Sequence, residues 1–331
     1  KQLNNKHTID ATVIDYGMKE CYSYYLEPVL IEPEHGASLL FPDDQSPQIE
    51  EQIDGITKTT TTNGNCIITQ EGLFTYFKDG DDNEARKYGE ISNLLSYYKD
   101  SFPDDKYCSL EFMTMEEAVK SAENILTKLV DCFDPVLESG VGLTNLQLME
   151  YQQLLLQDET YNEFGKVEIL DNLSKKYDSY LLNFSFSMQG IPVYANNGEP
   201  SIRYATGQYP PFPCEATVLI SREGVVSVRI IGVYRELSRY YEGTLYPIGD
   251  VISNYEKKYD LLILEDDYLL SRIFLEYIPI TTDEGIALKA YWCFVTDRKY
   301  YNYELADEIW YKAAFGDRFN AVSGADLTYG G

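Results

Sequence analysis

The residues of this chain with chemistry to offer are two acidic clusters, two histidines, six cysteines and an unusual number of tyrosines. Asp79-Gly80-Asp81-Asp82-Asn83-Glu84 sets carboxylates and an amide at alternate positions. Glu90 is twelfth counted from Asp79, the place of the bidentate ligand in an EF-hand calcium loop. Asp79, Asp81, Asn83 and Glu90 are therefore a candidate calcium set. The pattern departs from that loop at position six, where Glu84 stands in place of the turn glycine, and at position nine, which is Lys87. A solvated acidic turn is the plainer expectation. Glu265-Asp266-Asp267 follows the apolar run Leu261–Leu264 and reads as a turn into a strand.

The histidines are His7 and His35. A hydrolytic triad would need one of them beside a nucleophile, and neither lies in an HExxH or GxSxG motif. A three-histidine metal site is excluded within one chain. Cys21, Cys66, Cys108, Cys132, Cys214 and Cys293 form no CxxC, which excludes a zinc ribbon or thioredoxin-type site. They read as small buried hydrophobes, with three disulfides left open by the even count. No Gly-rich phosphate loop is present. Paired carboxylates suit glycoside hydrolysis, but among 54 acidic residues some pair falls at the needed spacing by chance. No catalytic residue and no cofactor is expected.

Tyrosine numbers 30, against 14 Phe and 2 Trp, and it recurs as doublets at 24–25, 97–98, 240–241 and 300–301. Successive strand residues face opposite ways, so one ring of each doublet is expected outside. A rigid ring with a polar tip suits recognition there. Tyr204, Tyr209 and Phe212 share one loop with Pro210-Pro211. With Tyr240 and Tyr241 they form the candidate binding surface. The alternative is that these rings pack onto sheet faces and rims.

These groups sit on a strongly acidic chain. Its 54 Asp+Glu against 27 Lys+Arg give a net charge of −27 over 331 residues. That excludes a nucleic-acid surface and disfavours docking on anionic lipid. Hydrophobic residues make up 44%, enough for one or two cores. No apolar run reaches the roughly 18 residues of a membrane span. The chain starts at Lys1, compatible with a processed precursor.

The elements that must position these residues follow from periodicity. Ile9, Ala11 and Val13 alternate as a strand. Residues 32–66 read as loop, except for a hairpin signalled by Thr59–Thr62 before Asn63-Gly64. Residues 86–99 read as a short helix or strand. Thr114 and Glu117 form a capping box ahead of an apolar face at Ala118, Ala122, Ile125, Leu126 and Leu129. Further helices are expected over about 144–157 and 166–176, and another after Pro247 with Val251, Ile252 and Tyr255 on one face. Strands are expected at Leu182–Met188, Ile191–Tyr194, Ala216–Ser221, Val225–Tyr234, Tyr268–Pro279, Ile286–Val295 and Arg318–Leu327.

Several of these segments resemble PepSY-like modules, the small helix-on-antiparallel-sheet domains of secreted proteins. Such modules also occur in the propeptides of thermolysin-type proteases and in the YycH and YycI regulators of Gram-positive bacteria. The matching residues are Met115-Glu116-Glu117-Ala118 at a helix start, Gln189-Gly190-Ile191-Pro192-Val193, and Ser221-Arg222-Glu223-Gly224-Val225-Val226 at a hairpin tip. Ala290-Tyr291-Trp292-Cys293-Phe294-Val295 and Arg318-Phe319-Asn320-Ala321-Val322-Ser323-Gly324 match the aromatic strand and the closing hairpin. The 22 residues 296–317 between these last two depart from the pattern as an insertion. The chain also resembles exported lipoproteins of Clostridia and gut Firmicutes. The resemblance covers about 111–331, with a looser match through Ile9–Val13.

Together these readings predict an α+β fold. A β-rich N-terminal region (1–110) precedes two PepSY-like helix-on-antiparallel-sheet units, 111–243 and 244–331. The resemblance implies an extracellular lipoprotein on the outer face of the cytoplasmic membrane, held there only by a lipid on an upstream cysteine. Its expected role is non-catalytic: a binding or regulatory module for a cell-surface protein or peptide, with no nucleic-acid partner. The alternative is a secreted glycan-binding protein or glycosidase using tyrosine platforms and carboxylates. Protease inhibition follows by analogy with propeptides alone.

Overall fold

The structure, a computed structural model, describes residues 2–4, 6–44, 46, 48–78, 82–101, 109–157, 170, 173–195, 214–260, 266–302 and 307–327. In chain order the elements are β1 (Gln2–Asn4), β2 (His7–Val13), β3 (Glu20–Pro28), α1 (Pro33–Leu40), β4 (Gln48–Ile53), β5 (Ile56–Thr61), β6 (Asn65–Gln70) and β7 (Leu73–Lys78). Then come α2 (Asp82–Ser101), α3 (Met115–Leu129), β8 (Asp134–Leu143), α4 (Asn145–Gln157), β9 (Ser179–Met188), β10 (Ile191–Val193), β11 (Glu215–Ser221), β12 (Gly224–Ile231) and β13 (Tyr234–Thr244). The chain continues with α5 (Ile248–Asp260), β14 (Asp267–Thr282), β15 (Gly285–Asn302) and β16 (Asp307–Asn320).

This overturns the expected architecture. Among the described residues sixteen strands outnumber five α-helices, and the sheet is mixed. Parallel pairs join β2 to β14 and β10 to β14. Two PepSY-like helix-on-antiparallel-sheet units are not what forms. The chain instead divides into two compact units interleaved in sequence. The first holds residues 1–27, 186–214 and 235–331; the second holds 28–185 and 215–234.

In the second unit β9, β11, β12, β7, β6, β5 and β4 neighbour one another in that order, with β8 also on β9. The segment read as loop over 32–66 contains α1 and the β4–β5 hairpin. Pro33 opens α1, where its missing N–H costs nothing. Asp54 and Gly55 turn the hairpin in the left-handed region, at φ 50° and 80°, the backbone that a tight hairpin turn demands. The Thr59–Thr62 and Asn63-Gly64 hairpin is present as β5–β6. The Thr114 capping box forms as read: the Glu117 N–H donates to Thr114 Oγ1 at 3.2 Å, and the Thr114 N–H donates to Glu117 Oε2 at 2.8 Å. Ala118, Ala122, Leu126 and Leu129 are buried along α3. α2 and α4 bury Ile91, Leu94, Leu95, Leu148 and Tyr151 against Leu181, Leu219 and Val226 of the sheet. Of the helix read over 166–176, the described part is a 3₁₀ turn at Lys175–Tyr177.

The first unit orders β13, β3, β15, β14, β10 and the end of β9. There β2 lies beside β14 and β16 beside β15. α5 follows Pro247 as expected and buries Val251 and Tyr255. The strand expected at 318–327 is displaced. β16 ends at Asn320, and residues 321–325 turn back, with Ala321 N–H on Ala290 O at 3.0 Å. Residues 296–302 and 307–317 extend β15 and β16 as one long hairpin. Among the described residues no helix is long and apolar enough to cross a membrane.

Candidate functional site

One exposed feature with chemistry to offer in the first unit is its β13 edge. β13 is a terminal strand: among the described residues only β3 pairs with it. Its sequence, Tyr-Arg-Glu-Leu-Ser-Arg-Tyr-Tyr-Glu-Gly-Thr, has no apolar alternation, and from Arg235 onward no residue is buried. A strand wet on both faces and open along one edge offers backbone N–H and C=O groups together with side chains of both faces.

Tyr240 and Tyr241 are 55% and 56% exposed. The expectation that one ring of the doublet is outside falls short, because an edge strand with water on both sides exposes both. Each ring leans on a tyrosine of β3. Tyr240 meets Tyr25 edge-to-face at 5.2 Å between centroids, and Tyr241 meets Tyr22 at 5.6 Å. The Arg239 guanidinium lies 5.5 Å from the Tyr22 centroid. Such pairs contribute about 1 kcal/mol each and hold the rings pre-set without covering them. Tyr22 also donates to Glu20 at 3.1 Å, and that bond raises its pKa. The β3–β13 pairing is pinned by Ser23 Oγ on Glu242 at 2.5 Å and by an Arg235–Glu27 ion pair. Below this rim Tyr24 is buried and packs edge-to-face on Tyr277.

A second polar assembly lies inside the same unit. His7 on β2 is fully buried, and its Nε2 is 2.9 Å from Tyr255 Oη on α5, which is 3.0 Å from Thr296 Oγ1 on β15. Burial lowers the His7 pKa to about 4, so the imidazole is neutral at pH 7. Tyr259 donates to Asp317 at 2.7 Å, and Lys258 donates to Asp317 at 2.6 Å and Asp326 at 2.7 Å. Burial pulls the Lys258 pKa down, but its two carboxylates outweigh that and raise it. Burial first, then Asp317, raises Tyr259, which stays a donor. The hydrogen bonds fasten α5 to strands and to the closing turn, and they run between buried and half-buried groups. They read as a tether. No sequence motif marks this assembly, because its members come from both ends of the described chain.

The other candidates fall as follows. Tyr204, Tyr209 and Phe212 lie outside the described residues, as do Asp79 and Asp81. Asn83 and Glu90 both lie in α2, seven positions apart, about 10 Å along the axis. Among the described residues no group of three His, Cys, Asp or Glu is placed to hold a metal ion. His35 is exposed, with Nε2 3.0 Å from the Lys128 carbonyl at the end of α3. Cys21, Cys66, Cys214 and Cys293 are buried. Glu276, Asp297 and Asp317 are buried within the first unit rather than facing an open surface.

No protein-family model and no curated protein sequence matches the chain. Among solved structures it is similar to the crystal structure of an uncharacterised protein from Eubacterium rectale. The two share 17% identity and a TM-score of 0.62, over 98% of this chain and 91% of that one. At that identity the likeness is one of fold.

Proposed function

We propose that this chain is a non-catalytic binding module that takes extended protein segments along the β13 edge. The observation that carries the reading is a terminal strand exposed on both faces, with Tyr240 and Tyr241 pre-set on opposite sides. An added strand would hydrogen-bond to the open backbone edge, while its alternate side chains would meet one tyrosine on each face. Placement outside the cell, on a lipid anchor at the outer face of the cytoplasmic membrane, belongs to the same proposal. It is supported by the resemblance to exported lipoproteins. The charge of −27 suits a chain that stays apart from nucleic acid and from bare anionic lipid.

The test immobilises the protein and passes over it a proteolytic digest of bacterial surface proteins and, separately, an array of oligosaccharides. The wild type should retain peptides, and the Tyr240→Ala/Tyr241→Ala double variant should lose at least tenfold of that retention. Both rings are exposed, so the variant should fold. Retention of oligosaccharides alone, or equal peptide retention by wild type and variant, would defeat the reading.

A further inference from the structure

We infer that the β13 edge pairs with the β13 edge of a second copy of this chain, in an antiparallel register centred on Tyr240. The inference rests on the edge-recognition reading above and names the partner.

Symmetry makes the idea specific. Two identical edges related by a two-fold axis must set some residue against its own copy and every other residue against its mirror position. Few registers survive that condition when a strand carries charge. Centred on Tyr240, the pairing sets Tyr240 on Tyr240, Arg239 on Tyr241, Ser238 on Glu242, Leu237 on Gly243 and Glu236 on Thr244. Each pair off the axis occurs twice. No like charges meet. Two guanidiniums face tyrosine rings, and four hydroxyls face carboxylates. Of the two neighbouring registers, the one centred on Arg239 is barred because it opposes Arg239 to Arg239 and twice opposes Glu236 to Glu242; the one centred on Tyr241 avoids like charges but sets Arg239 against Gly243, with no ring to face it.

Local charge agrees. Arg235 and Arg239 balance Glu236 and Glu242, so β13 is neutral in a chain of net charge −27. Two such chains repel one another broadly, and a neutral exposed strand is where they can approach.

The terminal strand of the second unit shows the opposite behaviour. β4, Gln-Ile-Glu-Glu-Gln-Ile, is exposed at every position and pairs only with β5 among the described residues. Its self-registers centred on Glu50 or Glu51 stack glutamate on glutamate. The one centred on Gln52 sets Glu50 against Asp54. Charge bars the central registers of β4 and leaves only short ones about its terminal isoleucines, whereas β13 keeps a long one.

The experiment is sedimentation equilibrium of the full chain from low to high micromolar concentration. Wild type should pass from a 38.0 kDa monomer to a dimer. Raising salt should strengthen the dimer, because it screens the broad repulsion. Tyr240→Glu and Tyr240→Lys each place like charges on the axis and should weaken the dimer at least tenfold. Mixed together they should form a heterodimer, since glutamate then faces lysine. A wild type that stays monomeric throughout, a Tyr240→Glu dimer of unchanged strength, or a mixture that stays monomeric would each overturn the inference. The two readings separate cleanly. A monomeric wild type that still retains surface peptides removes the second copy and leaves edge recognition standing. A dimer that retains no peptide leaves pairing as the sole use of the edge.

Discussion

Replacing His7 by asparagine should flatten the acid side of the stability curve of the first unit. Inside the folded chain His7 titrates at about 4 instead of 6.5, because burial disfavours the imidazolium. The unfolded chain therefore takes up this proton first as pH falls. A base depressed in the folded state leaves stability intact above 6.5, and that stability is lost as pH drops from there towards 4. The gap of about 2.5 pH units is worth about 3 kcal/mol in full, of which about 2 kcal/mol is gone by pH 5. Asparagine keeps a polar amide beside Tyr255 and carries no titratable proton. The two tryptophans, Trp292 and Trp310, both belong to the first unit, so urea unfolding followed by tryptophan fluorescence reports on it. Between pH 7 and pH 5 the wild type should lose about 2 kcal/mol more than the variant. Tyr255, Tyr259, Tyr268, Lys258 and Asp317 surround the site in both proteins and cancel in the difference. Equal losses in the two proteins would refute the reasoning, and would mean that His7 is solvated enough to charge in place.

Three further outcomes are expected. Thr114→Ala removes the Oγ1 that accepts from the Glu117 N–H, leaves the Thr114 N–H on Glu117, and should cost about 1 kcal/mol of second-unit stability; thermal melting of the variant by circular dichroism reads it. Gly324 has φ +68°, and an added Cβ would lie 2.6 Å from the Tyr246 ring, so Gly324→Ala should destabilise the first unit by about 2 kcal/mol, and an unchanged denaturation midpoint would contradict this. Lys258→Met leaves buried Asp317 and half-buried Asp326 without their ammonium and should cost about 3 kcal/mol at pH 7, visible as a drop in the urea midpoint.

Local signals read true where the chemistry is local. The Thr114–Glu117 box, the Asn63-Gly64 turn, the alternation of Leu182–Met188 and the Pro247 helix start each involve groups within a few residues, and each forms. The β4–β5 hairpin carries a legible Asp54-Gly55 turn between isoleucines, but three nearby prolines drew the segment towards a loop. The fold class failed for a different reason. Strand partners such as His7 with Tyr268, or Phe74 with Ile230, lie far apart in sequence, and no periodicity encodes which strand meets which. A helix followed by strands then looks like a self-contained module when its strands belong to sheets assembled from distant segments. Of the candidate site, the Tyr240–Tyr241 doublet was visible in composition. Its place on a terminal strand was not, because that depends on β3 arriving from the other end of the chain. The His7–Tyr255 contact, 248 positions apart, left no signal at all.

The parallel pairing of β2 with β14 also sets a condition on biosynthesis. β2 is made well before β14, the long strand it lies beside, which begins only at Asp267. At about 5–20 residues per second, β2 waits on the order of ten seconds or more for that neighbour. Meanwhile β4 to β7 pair with strands close by and have no such delay. A chaperone or export factor that guards the nascent chain therefore has, besides β3, whose partners β13 and β15 also come late, the early strand His7–Val13 to guard. Mutations that make this strand more apolar should lower yield long before they change the finished fold.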